Sequence, residues 1–197
     1  MNKLIFAAAM ASAVSVPALA QEETPYSGPY VAGLIGYDIV DLRVPNVETI
    51  HNDGLLYGGV IGYDVNVNGA VIGFEGEYTD STTNYSARDV LVAGDSERLE
   101  MGRDLYAGVR IGGQIAPNMM AYAKGGYTNA KAKARYNDGV DVFSDSQNLE
   151  GYRLGAGIET DTNGILGRLE YRYSNYGEFQ GFDIERHQVA LILGYRF

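Results

Sequence analysis

The sequence predicts an all-β protein, an eight-stranded antiparallel up-and-down transmembrane β-barrel. Three observations carry the expectation. Eight segments alternate side-chain character with period two, and one face of each is free of charge. Short and long connections take turns between them. The alternation also runs to the last residue, in VALILGYRF, where a chain end is ordinarily frayed and polar.

The chain has 197 residues, no Cys or Trp, 16 Tyr, 26 Gly and a formal charge of −10. Its start, MNKLIFAAAMASAVSVPALA, combines Lys3, an apolar run from Leu4 and the small-x-small site Ala18-Leu19-Ala20. That is the pattern of a secretory signal peptide over residues 1–20, with cleavage between Ala20 and Gln21 and one domain over 21–197. The acidic balance argues against nucleic acid as a partner. After Ala20 no run of eighteen apolar residues offers a transmembrane helix, which leaves strands as the means of crossing a membrane.

The elements follow in order. YVAGLIGYDI aligns Val31, Gly33, Ile35, Tyr37 and Ile39 on one face, and LYGGVIGYDV aligns Tyr57, Gly59, Ile61, Tyr63 and Val65. AVIGFEGEY gives Ile72, Phe74, Gly76 and Tyr78; DLYAGVRIGGQI gives Leu105, Ala107, Val109, Ile111, Gly113 and Ile115. MAYAKGGYT gives Ala121, Ala123, Gly125 and Tyr127, and GYRLGAGIE gives Tyr152, Leu154, Ala156 and Ile158. ILGRLEYRY gives Ile165, Gly167, Leu169, Tyr171 and Tyr173; the final segment gives Val189, Leu191, Leu193, Tyr195 and Phe197. Successive side chains of a strand point to opposite faces, and the other faces hold Asp38, Asp64, Glu75, Glu77, Arg110, Lys124, Arg153, Glu159, Arg168, Glu170, Arg172 and Arg196. A water-soluble sandwich or lipocalin would put its charges outside and its apolar groups inside. A charge facing hydrocarbon costs roughly 2–4 kcal/mol at the midplane, so the uncharged face is the one expected to meet lipid.

The connections agree. Val67-Asn68-Gly69, Ala116-Pro117-Asn118 and Thr162-Asn163-Gly164 are tight turns, whereas residues 41–54, 80–98, 137–148 and 174–185 are long and polar. Asn-Gly is a strong two-residue hairpin signal. Short periplasmic turns alternating with long outer loops are the rhythm of an outer-membrane barrel. The last strand must then close on the first, because unpaired backbone in lipid is prohibitively costly.

GPYVAGLIGYD (28–38), GGVIGYDVNVNGAVIGFEGEY (58–78), AGVRIGGQI (107–115), YAKGGYT (122–128), GRLEYRYS (167–174) and LGYRF (193–197) together resemble the OmpA-like eight-stranded outer-membrane barrels, in their small opacity-protein or porin-family form. The resemblance covers residues 30–197. It implies location in the bacterial outer membrane, a monomer, and a terminal aromatic signal at Tyr195 and Phe197 that the barrel-assembly machinery reads during biogenesis. No peptidoglycan-binding domain follows, so a cell-wall tether is not implied.

An eight-strand barrel is wide enough only to be filled by its own side chains. Glu75, Glu77, Arg110, Lys124, Arg168, Glu170 and Arg172 fall near mid-depth and mix both signs. Buried charges persist only when paired, and similar barrels hold such a network. The expected role is a salt-bridge plug that sets register and blocks flow; the alternative is a gate whose pairs exchange partners, making a narrow channel for small ions or solutes. Inward glycines, among them Gly62, Gly73 and Gly108, leave room for long side chains.

Beyond Tyr127 the sequence TNAKAKARY gives Asn129, Lys131, Lys133 and Arg135 the outward parity. A hairpin centred near Asn118 is expected to bring Arg103 close to Lys133. Facing like charges repel, so Arg103, Lys131, Lys133 and Arg135 are candidates for contact with lipopolysaccharide phosphates; the alternative is a solvated strand end. Acidic loop residues such as Asp89, Asp95, Asp138 and Asp141 show no calcium-loop spacing, and no metal, cofactor or catalytic residue is expected. His51, Asp80 and Ser81 form a crude version of a lipid A palmitoyltransferase set, but the charged interior leaves no acyl pocket. His187 lacks the His-x-Ser pattern of a deacylase. The functional expectation is a non-enzymatic structural and interaction barrel whose loops meet lipopolysaccharide or an external protein ligand.

Overall fold

A computed structural model of the chain describes residues 26–43, 50–82, 84–88, 96–137, 142–179 and 182–197. The expected signal peptide, and loop acids including Asp89, Asp95, Asp138 and Asp141, lie outside the described residues. The strands are β1 (Gly28–Arg43), β2 (Ile50–Val67), β3 (Ala70–Ser81), β4 (Asn84–Arg88), β5 (Ser96–Ala116), β6 (Met119–Asn137), β7 (Val142–Thr162), β8 (Ile165–Phe179) and β9 (Phe182–Arg196). All neighbours are antiparallel, and β3–β5 and β1–β9 pairings close the sheet on itself. The short β4 pairs with β5 at Asn84↔Glu100, beyond the last β3 pair at Thr79↔Asp104. β3 and β4 therefore occupy one stave, and the barrel is eight-stranded.

The strands outrun the hydrophobic alternation. β5 begins at Ser96, β7 at Val142, and β8 and β9 meet at Phe179↔Phe182, all in stretches whose composition reads as loop. Alternation of polarity requires two different solvents on the two faces. Where a strand rises above the membrane its outer face meets water rather than lipid, and backbone pairing continues without an apolar stripe to announce it.

Two tight turns show why Asn-Gly occurs there. Asn68 (φ 52°) with Gly69 (φ 91°), and Asn163 (φ 54°) with Gly164 (φ 79°), are left-handed at both central positions. That backbone matches the twist of the strands they join. Asn66 Oδ1 and Asp161 Oδ1 accept the Gly69 and Gly164 amides at 2.9 and 3.2 Å. The seam explains the ordered terminus. β9 pairs with β1 from Arg43↔Asp183 to Tyr30↔Arg196, and the Phe197 amide donates to Pro29 O at 2.9 Å.

The molecule is apolar outside and charged inside. Ile61, Phe74 and Leu193 are 64, 69 and 61% exposed, while Asp38, Glu159, Glu170, Arg153 and Arg172 are fully covered. β3 alternates exposed and buried along its length. In water this would strand far more apolar surface than a soluble monomer tolerates; against hydrocarbon it is the stable arrangement.

Candidate functional site

The lumen is a continuous lattice of ion pairs. Its periplasmic tier centres on Arg110 of β5, whose Nε and Nη2 grip Asp64 of β2 at 2.8 and 2.6 Å while Nη1 meets Glu159 of β7 at 2.7 Å. Arg196 of β9 spans Asp64 (2.7 Å), Glu159 (2.6 Å) and Asp161 (2.8 Å), tying the last strand to β2 and β7. Arg168 of β8 pairs with Glu159 and with Glu75. The Tyr30 ring lies 5.1, 5.2 and 5.0 Å from the guanidinium carbons of Arg110, Arg168 and Arg196, and its hydroxyl donates to Glu75 at 2.6 Å. Like-charged guanidiniums are thus separated by the negative face of one ring.

In the middle tier Lys124 of β6 sits among three carboxylates: Glu75 at 2.8 Å, Glu170 at 2.7 Å, and Glu77. Arg172 joins Glu170 (2.5 Å) to Glu77 (3.0 Å), and Tyr122 donates its hydroxyl to Glu170. The extracellular tier turns on Asp104, which takes Arg153, Arg186 (3.0 Å), Thr128 (2.7 Å) and Tyr176 (3.0 Å). Arg186 also grips Asp38 through Nε and Nη2 at 2.7 and 2.6 Å, so β9 is locked to β1 across the seam.

All seven residues singled out for the interior, Glu75, Glu77, Arg110, Lys124, Arg168, Glu170 and Arg172, are brought together here. The lattice is wider than that set. Tyr30, Tyr106 and Tyr122 share the inward parity and were missed, as were Asp104 and Arg186. Asp104 precedes the outward Leu105 and Arg186 lies two residues before the inward Gln188, so parity was the available signal. Buried acids are Asp38, Asp64, Glu75, Glu77, Asp104, Glu159 and Glu170; buried bases are Arg110, Lys124, Arg153, Arg168, Arg172, Arg186 and Arg196. Among the described residues the two fully buried sets are equal in number, with the partly covered Asp161 as a further acid on Arg196.

Among the described residues an apolar cluster lies towards each end. Tyr26, Val71, Met120 and Tyr122 cluster at the periplasmic mouth, and Val40, Ala130, Leu149, Tyr176 and Ile184 at the extracellular one. Small inward residues make the filling fit: a Cβ at Gly62 would lie 2.3 Å from the Tyr30 ring, and one at Gly73 2.0 Å from Asp64 Oδ1.

The outer rim departs from expectation. The backbone register pairs Lys133 with Glu100 rather than with Arg103. The Ala116–Met119 turn carries a register irregularity at Ile115, so pairs run Asp104↔Ala130 and Leu105↔Asn129, beyond which Gly102 and Arg103 of β5 lie against Lys131 of β6. Gly102 adds a bulge, after which Lys133 lies opposite Glu100 and Arg135 opposite Arg98. The side chains of Lys133 and Arg135 lie outside the described ones. Tyr195 and Phe197 stack edge to face at 5.1 Å on the outer surface beside the seam. Ser81 donates to Asp38 at 2.6 Å, and His187 Nδ1 lies 2.7 Å from the Tyr171 hydroxyl; the side chain of His51 lies outside the described ones.

A family model for the outer membrane protein beta-barrel domain matches residues 6–197. The 25 kDa outer-membrane immunogenic protein of Brucella ovis is 29% identical over 185 residues, covering 92% of this chain and 84% of that protein. Its Brucella melitensis counterpart is 30% identical over 165 residues, covering 82% and 72%. Among solved structures, Ail, the attachment invasion locus protein of Yersinia pestis, superposes with TM-score 0.54 at 16% identity over 87% of this chain and 99% of Ail; Ail has also been solved with the heparin analogue sucrose octasulfate. Neisserial surface protein A gives 0.54 at 14% identity over 87% and 98%. At these identities the two structures speak for the fold alone.

Proposed function

We propose a role that proceeds from one premise: the chain belongs to the outer membrane protein beta-barrel domain family and is a protein of the bacterial outer membrane. It acts as a structural and interaction barrel, neither conduit nor enzyme. The observation that carries this reading is the lumen itself, in which the buried acids and bases among the described residues are mutually paired and apolar clusters lie towards both ends. Opening it would strand buried charges without partners, at roughly 3–5 kcal/mol for each pair broken. What remains for function is the outside: lipid contact along the wall, and lipopolysaccharide or external ligands at the rim and loops. The immunogenic character named for the Brucella relatives supports outward display. Phe197 serves the assembly machinery as the terminal signal, and the closed sheet, with no unpaired edge in the membrane, suits a monomer.

Planar-bilayer recording of refolded protein tests the proposal, with no discrete conductance expected. A narrow gated channel is the second reading, favoured by Lys124 facing three carboxylates among which it can exchange. Steady conductance steps abolished by Lys124→Met or Arg110→Met would establish that reading instead.

A further inference from the structure

Tyr26 lies before the first β1–β2 backbone pair, Gly28↔Asp64, yet it is 1% exposed. Its ring joins Val71, Met120 and Tyr122 in the apolar cluster towards the periplasmic end. Glu159, Asp161 and Arg196 act on it electrostatically, which places it against the periplasmic tier of the ion-pair lattice.

Two features of this position are unfavourable. The first is a left-handed backbone, φ 64°. The other left-handed non-glycine residues among those described, Asn68 and Asn163, stand in Asn-Gly turns that require the conformation, and asparagine tolerates it. A tyrosine there is an outlier that persists only because surrounding contacts hold it. The second is the hydroxyl, which is covered and has no hydrogen-bond partner among the described residues. If the side chain swings out, water supplies that partner and the backbone relaxes in the same step. Closure thus depends on burial of the ring, opposed by strain and by an unsatisfied donor.

The next two residues form a pivot. Ser27 Oγ accepts the Asn66 amide at 3.0 Å, fastening the segment near the β2–β3 turn. Gly28 has φ 114°, and a Cβ there would come to 2.3 Å of Phe197 O, so the chain passes close against the terminal residue at the seam. Rotation of Tyr26 about this pivot breaks no rung of the β1–β2 or β1–β9 ladders, which begin at Gly28↔Asp64 and Tyr30↔Arg196. We infer that Tyr26 is a strained stopper at the periplasmic end, hinged at Ser27-Gly28, which opens by itself while the barrel stays folded and admits water to the tier of Asp64, Arg110, Glu159 and Arg196. The lattice beyond that tier stays paired, so the stopper governs hydration of one end rather than flow, and it stands whether or not the lumen conducts.

The chain has no native cysteine. Met120→Cys, at a position with no exposure in the same cluster, therefore reports opening through its reaction with a membrane-impermeant thiol reagent in the full chain refolded in detergent micelles. The rate should be independent of urea well below the unfolding transition, the mark of a local opening. Tyr26→Phe keeps the ring and removes the unpartnered hydroxyl, and should slow the reaction about fivefold or more. Tyr26→Gly removes the ring and should speed it about tenfold or more. Leu149→Cys, buried in the extracellular cluster, should respond to neither change. Heat-modifiable gel migration checks folding, and Val71→Cys replaces Met120→Cys should the latter fail that check. A reaction that shows the urea dependence of global unfolding overturns the inference. So does Tyr26→Phe reacting as fast as the tyrosine parent, Tyr26→Gly reacting no faster, or equal acceleration at Met120→Cys and Leu149→Cys. Bilayer conductance does not enter these readouts, so a failure here is separable from failure of the closed-barrel reading.

Discussion

Replacing Arg110 by Met tests the lumen most severely for one substitution. It removes three charge-assisted bonds of 2.6–2.8 Å to Asp64 and Glu159, all between side chains with no solvent exposure. The balanced set of buried acids and bases becomes acidic by one. Breaking a buried pair from one side costs ~3–5 kcal/mol. Arg196 still reaches both carboxylates and Arg168 reaches Glu159, so the loss belongs at the lower end, about 3 kcal/mol. Asp64→Asn with Arg110→Met restores neutrality and should recover about 1–2 kcal/mol of that as coupling energy. Reversible urea unfolding in fluid lipid vesicles, followed by far-UV CD and by the fluorescence of the 16 tyrosines in a chain without tryptophan, gives both numbers. A single variant within ~0.5 kcal/mol of wild type, with additive effects in the cycle, would mean the carboxylates are solvated and the lumen is not sealed.

Other outcomes follow from the same geometry. Gly62→Ala places a Cβ 2.3 Å from the Tyr30 ring and should destabilise by about 1–3 kcal/mol, with Tyr30→Leu relieving much of the loss in the same urea assay. Asn68→Val with Gly69→Val forces β-branched residues into left-handed backbone at φ 52° and 91°; roughly 1–2 kcal/mol per residue should be lost, seen as a lower urea midpoint. Ile61→Lys puts a charge on an exposed lipid-facing position and should cost roughly 2–4 kcal/mol in vesicles. Deleting Phe197 should reduce the folded, heat-modifiable band in cell envelopes several-fold while detergent refolding of purified protein proceeds, because the residue contributes one seam hydrogen bond and its larger role is proposed to be recognition.

The barrel was legible because two solvents act on each membrane-spanning stretch. From Val31 to Ile39 and from Val189 to Phe197 every second residue must tolerate hydrocarbon, and parity alone separates Ile35 from Asp38 and Leu191 from Gln188. The same parity assigned Arg110, Lys124 and Glu170 to the lumen. Legibility ended where the lipid-facing pattern ends: the upper parts of β5, β7, β8 and β9 lie in stretches of polar composition, and Asp104 and Arg186 sit at that border. Cross-strand register was the other loss. Pro117-Asn118 looks like the centre of a hairpin, but irregularities at Ile115 and between Met101 and Asp104 move the pairing so that Lys133 lies opposite Glu100. Nothing in the type or spacing of those residues announces the slip. The partners within the lattice were equally hidden, since Arg186–Asp38 joins residues 148 apart through closure of the barrel.

The chain has no native cysteine, which permits a direct measurement of what each face touches. Single cysteines placed from Val189 to Tyr195 on β9, labelled with an environment-sensitive fluorophore where accessible, are quenched by brominated lipid and challenged with a membrane-impermeant thiol reagent. The predicted result is strict alternation: quenching by lipid at Val189, Leu191 and Leu193, which are 50, 45 and 61% exposed, and no reaction with either agent at the fully covered Ala190 and Ile192. Reaction of positions 190 and 192 with the aqueous reagent, or absence of lipid quenching at 189, 191 and 193, would contradict a sealed, charge-filled barrel with hydrocarbon on its outer wall.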